Sequence, residues 1–256
     1  MNAQSKADNN TLLVCYGKFD PKVVKGYDYV IVESKQFSKS EINTLKNNNK
    51  TVYAYISIAE VNVYADLYKE LKGTFLGKNK NWDSFYLDLK SEKTRKAILK
   101  NISNLSDKGF TGIFLDNADN FSQFGFQKLQ KKEAIELIKD IKKQFPKLSL
   151  IQNSGVELLK ETATDIDAVM LESIFSNYSF QDKKYGLRTD ADFEQHFKKV
   201  DDIRLNFRKN ILLVEYADTI ELYKQVSEKL KKHKFDYFIG KIDLQTIPNY
   251  NKTIQR

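Results

Sequence analysis

GIFLDNADN, Gly112 to Asn120, and VMLESIF, Val169 to Phe175, decide how this chain is read. In each, a short apolar run ends abruptly in a carboxylate. Asp116 follows Ile113-Phe114-Leu115, and Glu172 follows Val169-Met170-Leu171. Runs of this length fit a strand buried on both faces. A carboxylate at the C-terminal end of such a strand stands at the mouth of a parallel sheet or barrel, where that architecture builds its sites. Asp116 and Glu172 are therefore a candidate nucleophile/acid pair.

Outward from these two segments, apolar runs alternate with charged amphipathic stretches along the whole chain. The expected strands are Thr11–Tyr16, Asp28–Glu33, Val52–Ile58, Gly112–Asp116, Leu148–Asn153, Ala168–Glu172, Ile211–Tyr216 and Tyr237–Gly240. A further strand or extended loop, Ser84–Leu89, falls between the third and the fourth. Helical stripes are expected over Glu92–Lys108, Leu129–Phe145, Asp190–Phe207 and Asp218–His233, where Asp218 is placed to cap. Gly109 and Pro146 supply stops. Eight strand–helix repeats without a linker predict an α/β fold, a single (β/α)8 TIM barrel over residues 11–256 with that extra strand. The length of 256 residues suits it, since such barrels take about 250.

The charge is +8, from 42 basic and 34 acidic residues. Lysines are spread over the expected helices, which points to a solvated outer face and away from nucleic acid. No stretch approaches the roughly 18 apolar residues of a membrane span. Cys15 is the single cysteine and sits in an apolar run, so it reads as a small buried hydrophobe. His196 and His233 have no ligand partners at metal spacing, so no metal and no cofactor are expected. The polar segment MNAQSKADNN, residues 1–10, lacks a signal-peptide core and reads as a disordered leader.

The strand ends carry a series of polar groups: Tyr16, Glu33, Ser57 with Glu60 beyond it, Asp116, Asn153, Glu172 and Glu215, plus Asp88 from the extra strand. Asn117, Asp119 and Tyr216 adjoin them. Together they predict an acidic cleft for a neutral or cationic polyol, with Asp116 and Glu172 catalytic and the others binding substrate. Asp116 has polar neighbours that keep it ionised, whereas Glu172 leaves an apolar run that raises its pKa. That division of labour fits glycoside hydrolysis. A strand-end carboxylate also serves as a helix cap. A calcium loop starting at Asp116 fails, with Ala118 at its third position and no distal Glu. Trp82, Phe175, Tyr178, Phe180 and Tyr185, in or near the longest loops (Tyr64–Asp83 and Ser173–Thr189), are candidate sugar-stacking platforms or loop packing.

The segments YAYISIAEVNVY, NWDSFYLDL, GFTGIFLDNADN, LIQNSG and VMLESIF, in this order, resemble glycoside hydrolase family 114. The resemblance runs from about Leu12 to Asp218. It implies a (β/α)8 barrel and endo-α-1,4-polygalactosaminidase-like activity on galactosamine-containing exopolysaccharide. It matches Asp116 and Glu172 to the family's catalytic residues, and Tyr55, Ser57, Glu60 and Asp88 to its other motif positions, and it implies a retaining mechanism. Ala59 stands where family members often have Gly. A polymer substrate places the expected work outside the cytoplasm, extracellular or periplasmic, by a monomer. Two other readings of the strand ends stay open: a barrel that binds polysaccharide without cutting it, and an enzyme of phosphorylated metabolites, for which only Gly240-Lys241 speaks.

Overall fold

The computed structural model describes residues 11–250. The expected leader, residues 1–10, and the last six residues of the expected domain lie outside that range. Eight strands form one parallel sheet: β1 (Leu12–Cys15), β2 (Tyr29–Val32), β3 (Thr51–Ser57), β4 (Gly112–Asp116), β5 (Ser149–Asn153), β6 (Ala168–Glu172), β7 (Asn210–Tyr216) and β8 (Asp236–Gly240). Each pairs with its neighbour in sequence order. β1 and β8 lie side by side. Their seam is tied by Thr11 Oγ1 donating to the Asp236 carboxylate and by Tyr16 N donating to Leu244 O at 2.7 Å. The result is a nearly closed α/β barrel.

The strands form because their side chains are covered on both faces. Leu12–Cys15 are all buried, as are Gly112–Leu115 and Ala168–Leu171. Helix Glu92–Lys108 buries Ala97, Ile98, Ile102 and Leu105. Ser91 caps its start, and Gly109, at φ 111°, ends it in the left-handed conformation that costs glycine least. Lys131–Gln144 buries Ala134, Leu137, Ile138 and Ile141. Asp190–Asp202 runs on into a π turn, Ile203–Phe207. Ile220–His233 is capped by Thr219, which accepts from Leu222 N, rather than by Asp218. His233 packs into an aromatic cluster with Phe175, Phe197 and Phe235, and Cys15 is buried in the core.

Several elements depart from the expected repeat. A 3₁₀ turn, Pro21–Val23, follows β1 in place of a helix. The unexpected helix Lys39–Asn48 buries only Ile42 and Leu45, too thin a stripe to stand out, and is held at its start by a Ser38/Glu41 capping box. The segment after β3 is a small antiparallel sheet with Ser84–Leu87 between Glu60–Asn62 and Phe75–Asn79. The segment after β6 contains a hairpin, Ser176–Ser179 with Lys184–Leu187. Both additions sit on the C-terminal ends of barrel strands.

Gly112 opens β4 where the chain has no room. A Cβ there would lie 2.3 Å from the Tyr53 ring and 3.0 Å from Ser149 O. Tyr53 cannot swing aside easily, being buried with its hydroxyl 2.9 Å from Ser149 Oγ. Gly112→Ala is therefore expected to destabilise the fold by about 1–3 kcal/mol through overpacking. Chemical denaturation measures it, and an unchanged midpoint would contradict this packing.

Candidate active site

The parallel register brings three strand ends to one level. Ser57 lies opposite Asp116, and Leu115 opposite Gln152, which sets Asn153 beside Asp116. Asn153 lies opposite Met170, two residues before Glu172. Side chains two apart share a face, so Asp116, Asn153 and Glu172 turn into the same mouth. Beneath them Phe114 packs against Tyr55, with centroids 6.1 Å apart.

Asn153 joins the two carboxylates. Its Nδ2 donates to Asp116 Oδ1 at 2.7 Å and to Glu172 Oε1 at 2.7 Å. Those two oxygens are therefore no farther apart than twice that distance. Tyr55 Oη donates to Asp116 Oδ2 at 2.8 Å, and Tyr216 Oη donates to Glu172 Oε2. Tyr16 packs against Tyr55 at a tilt, with ring centroids 4.7 Å apart, and feels the negative charges of Asp116, Glu172 and Glu33. Asn153 is almost wholly buried, yet its Oδ1 has no protein partner.

Burial raises the pKa of Asp116, while donors from Asn153, Tyr55 and the Asn117 backbone pull it back. Glu172 is pushed up to about 7, first by burial and then by the charge on Asp116. The bonds from Tyr216 and Asn153 only partly offset this, and Asp119 adds further negative charge. Crowded carboxyls separate in this way because both cannot ionise cheaply.

The other expected positions divide. Tyr16 stands beside the pair, Glu33 lies near enough to Tyr16 and Tyr55 for its charge to act on both, and Asp119 is exposed close by. Ser57 Oγ donates to Asn117 Oδ1 at 2.7 Å and accepts from Glu60 N at 2.9 Å, so these two shape the turn after β3. Asn117 itself takes a left-handed φ of 62°. Glu60, expected on the rim, opens the first strand of the small sheet and is buried there. It accepts from Asn79, Ser84 and Asn120. Asp88 accepts from Gln130 Nε2 at 2.6 Å and from Lys90 N, in the turn that leads to Ser91.

Glu215 requires a correction. It is fully buried and accepts from Ile174 N, Phe175 N and Ser176 N, the last at 2.7 Å. It holds the chain just after Glu172 rather than lining the cleft. Phe175, expected among the stacking aromatics, is buried against Phe193. Asn120, Gln127 and Ser176 had no sequence signal, yet they fasten these segments.

The raised pKa of Glu172 carries a stability consequence. Below about pH 4.5 it is protonated in both folded and unfolded chains, and no penalty arises. As pH climbs from there to about 7, the unfolded chain ionises first and the folded state loses stability. Glu172→Gln removes that loss. Its melting temperature is expected to gain on the parent's across this window and to level off above it. A constant difference from pH 4 to 8 would contradict the assignment.

The sequence profile of glycoside-hydrolase family GH114 matches residues 2–255. An uncharacterized protein of Methanocaldococcus jannaschii is 26% identical over 232 residues, covering 82% of this chain and 66% of that protein. One from Thermotoga maritima is 24% identical over 204 residues, covering 73% and 61%. The chain thus spans a little under two thirds of the length of these relatives. Among solved structures, the glycoside hydrolase domain of PelA from Pseudomonas aeruginosa superposes with a TM-score of 0.82 at 22% identity, covering 92% of this chain and 96% of that one. Aspergillus fumigatus Ega3, solved with galactosamine, gives 0.71 at 15% identity, covering 95% and 96%. At such identities the likeness is one of fold, a TIM barrel, and the family follows from the profile match along nearly the whole sequence: the chain belongs to glycoside-hydrolase family GH114.

Proposed function

We propose that the chain is an endo-acting glycoside hydrolase that cuts α-1,4-linked galactosamine or N-acetylgalactosamine exopolysaccharide with retention of anomeric configuration. The observation that carries this reading is the bridge from one Asn153 nitrogen to both Asp116 and Glu172, at 2.7 Å each. Retaining enzymes hold their carboxyls roughly 5–5.5 Å apart and inverting ones roughly 6.5–9.5 Å. Oxygens sharing a donor in this way fall on the short side.

Asp116 is the nucleophile. Its ionised oxygens, steadied by Tyr55 and Asn153, attack the anomeric carbon as the bond to the leaving oxygen breaks. Glu172, protonated up to about pH 7, gives that oxygen its proton. The sugar is then esterified to Asp116. The Glu172 carboxylate takes a proton from water, whose oxygen attacks the same carbon and frees Asp116. Tyr216 keeps Glu172 aimed through both steps. Tyr16, Glu33, Asp119 and Asn153 bind sugar hydroxyl and amino groups around the pair.

The negative groups of the cleft, set in a chain of net charge +8, suit a polymer with free cationic amines. The family and the galactosamine bound to Ega3 support the same sugar. Among the described residues no helix is long and apolar enough to cross a membrane. A polymeric exopolysaccharide substrate favours action outside the cytoplasm, in the periplasm or the extracellular space, by a monomer.

Digestion of α-1,4-galactosamine polymers of graded acetylation, followed by mass spectrometry, tests the reading. The parent protein is expected to release oligosaccharides. Asp116→Asn and Glu172→Gln are each expected to lose on the order of 10³-fold or more in rate while remaining folded. Parental activity in either variant, or binding without cleavage by the parent, would contradict it. The pH profile should be bell-shaped. Activity is expected to fall as pH rises through about 7 and Glu172 loses its proton, and to fall again in acid as Asp116 gains one. A rate still climbing well above pH 7 would contradict Glu172 as the acid.

A further inference from the structure

The hairpin that follows Glu172 is fastened at its base, along its length and at its tip. At its base, Glu215 of β7 binds the backbone of Ile174, Phe175 and Ser176. Along its length, Tyr178 faces Tyr185 across the strands at 4.8 Å. Tyr185 Oη also accepts from Ile242 N at 3.1 Å, in the segment after β8. At its tip, Phe180 meets Trp82 edge to face, with ring centroids 5.3 Å apart. Trp82 lies in the turn between Phe75–Asn79 and Ser84–Leu87 of the small sheet inserted after β3.

Strand order turns these contacts into geometry. The hairpin is rooted after β6 and tied to the segments after β8 and after β3, which lie on different arcs of the ring. A segment joining those arcs spans the mouth rather than tracing its edge. Asp116, Asn153 and Glu172 open into that mouth, so the Trp82–Phe180 contact lies across the approach to them. Both rings remain 49% exposed. Large aromatics left half in water on the two halves of a span have faces free for another partner. A single ring pair is also a weak tie, easily exchanged for a different stacking surface.

We propose that Trp82 and Phe180 form a clasp for the polysaccharide chain. The tie opens to admit the chain, and the two rings then stack on pyranose faces and hold the polymer across the catalytic pair. This rests on the glycosidase reading and adds to it the residues that grip the polymer beyond the site of cleavage. Aromatic faces suit the C–H surface of a pyranose, and they attract a protonated amino group through cation–π interaction.

Trp82 is the only tryptophan of the chain, so its emission reports on the clasp alone. The Asp116→Asn protein, titrated with partly deacetylated α-1,4-galactosamine polymer, is expected to show a saturable change in Trp82 emission. Calorimetry should find the polymer bound about tenfold more weakly by Trp82→Ala and by Phe180→Ala, with Trp82→Phe close to the parent. Melting curves separate these losses from unfolding. Emission that stays unchanged at saturating polymer overturns the clasp, and so does equal affinity in all three variants. A saturable change without hydrolysis by the parent keeps the clasp and removes the hydrolase reading. Hydrolysis with silent emission does the reverse.

Discussion

The shared hydrogen bond from Asn153 to Asp116 and Glu172 is the contact on which the rest of the site depends. Two carboxyls drawn from water into one pocket cannot both carry charge without compensation. An amide with two N–H groups relieves this by donating one to each carboxylate, and it sets their spacing at the same time. Tyr55 and Tyr216 then complete one carboxyl each from opposite sides. The proton that remains on the pair settles on Glu172, because Asp116 has more donors favouring its charged form. In the proposed mechanism, acid and nucleophile are thus distinguished by environment, although the groups are chemically alike.

This arrangement requires β4, β5 and β6 to be neighbours in parallel register, and the barrel supplies that. Its core is Val, Ile, Leu and Phe buried on both faces of each strand, which fixes the strand heights to within a residue. A slip of one residue would turn Asp116 away from the mouth. Gly112, pressed against Tyr53, belongs to the same requirement at the other end of β4. Glu215 serves it from behind, since it anchors the chain that leaves Glu172.

The eight strands were legible because double-sided burial demands continuous apolar runs, and Asp116 and Glu172 were legible as the residues that end them. Asn153 and Tyr216 end their strands by the same rule, and Tyr16 directly follows β1, whereas Tyr55, inside β3, was marked only by the family resemblance. The rule fails where it ignores alternation. Glu215 and Tyr216 are consecutive in β7, so only one can face the lumen. Tyr216 does, and Glu215 passes outward beneath the hairpin. For Glu60 and Asp88, a position just past a strand end does not reveal what an inserted sheet adds: the charge of Glu60 still reaches Asp116, yet its oxygens are taken by Asn79, Ser84 and Asn120. The rest of that sheet, beyond its expected strand at Ser84–Leu87, and the hairpin were illegible for a related reason. Phe75–Asn79 and Lys184–Leu187 are short and only partly buried, and tertiary partners such as Gln127 and Glu60, distant in sequence, hold this region in place.

The most direct test of the central claim is the configuration of the first product. Proton NMR, recorded in the first minutes of digesting α-1,4-linked galactosamine oligosaccharides, reads the anomer at the new reducing end before mutarotation. Carboxyls held together by one Asn153 nitrogen predict that the α-anomer appears first and the β-anomer grows in only later. Initial release of the β-anomer would mean that a water stands between the carboxyls, and it would contradict the geometry proposed for Asp116 and Glu172.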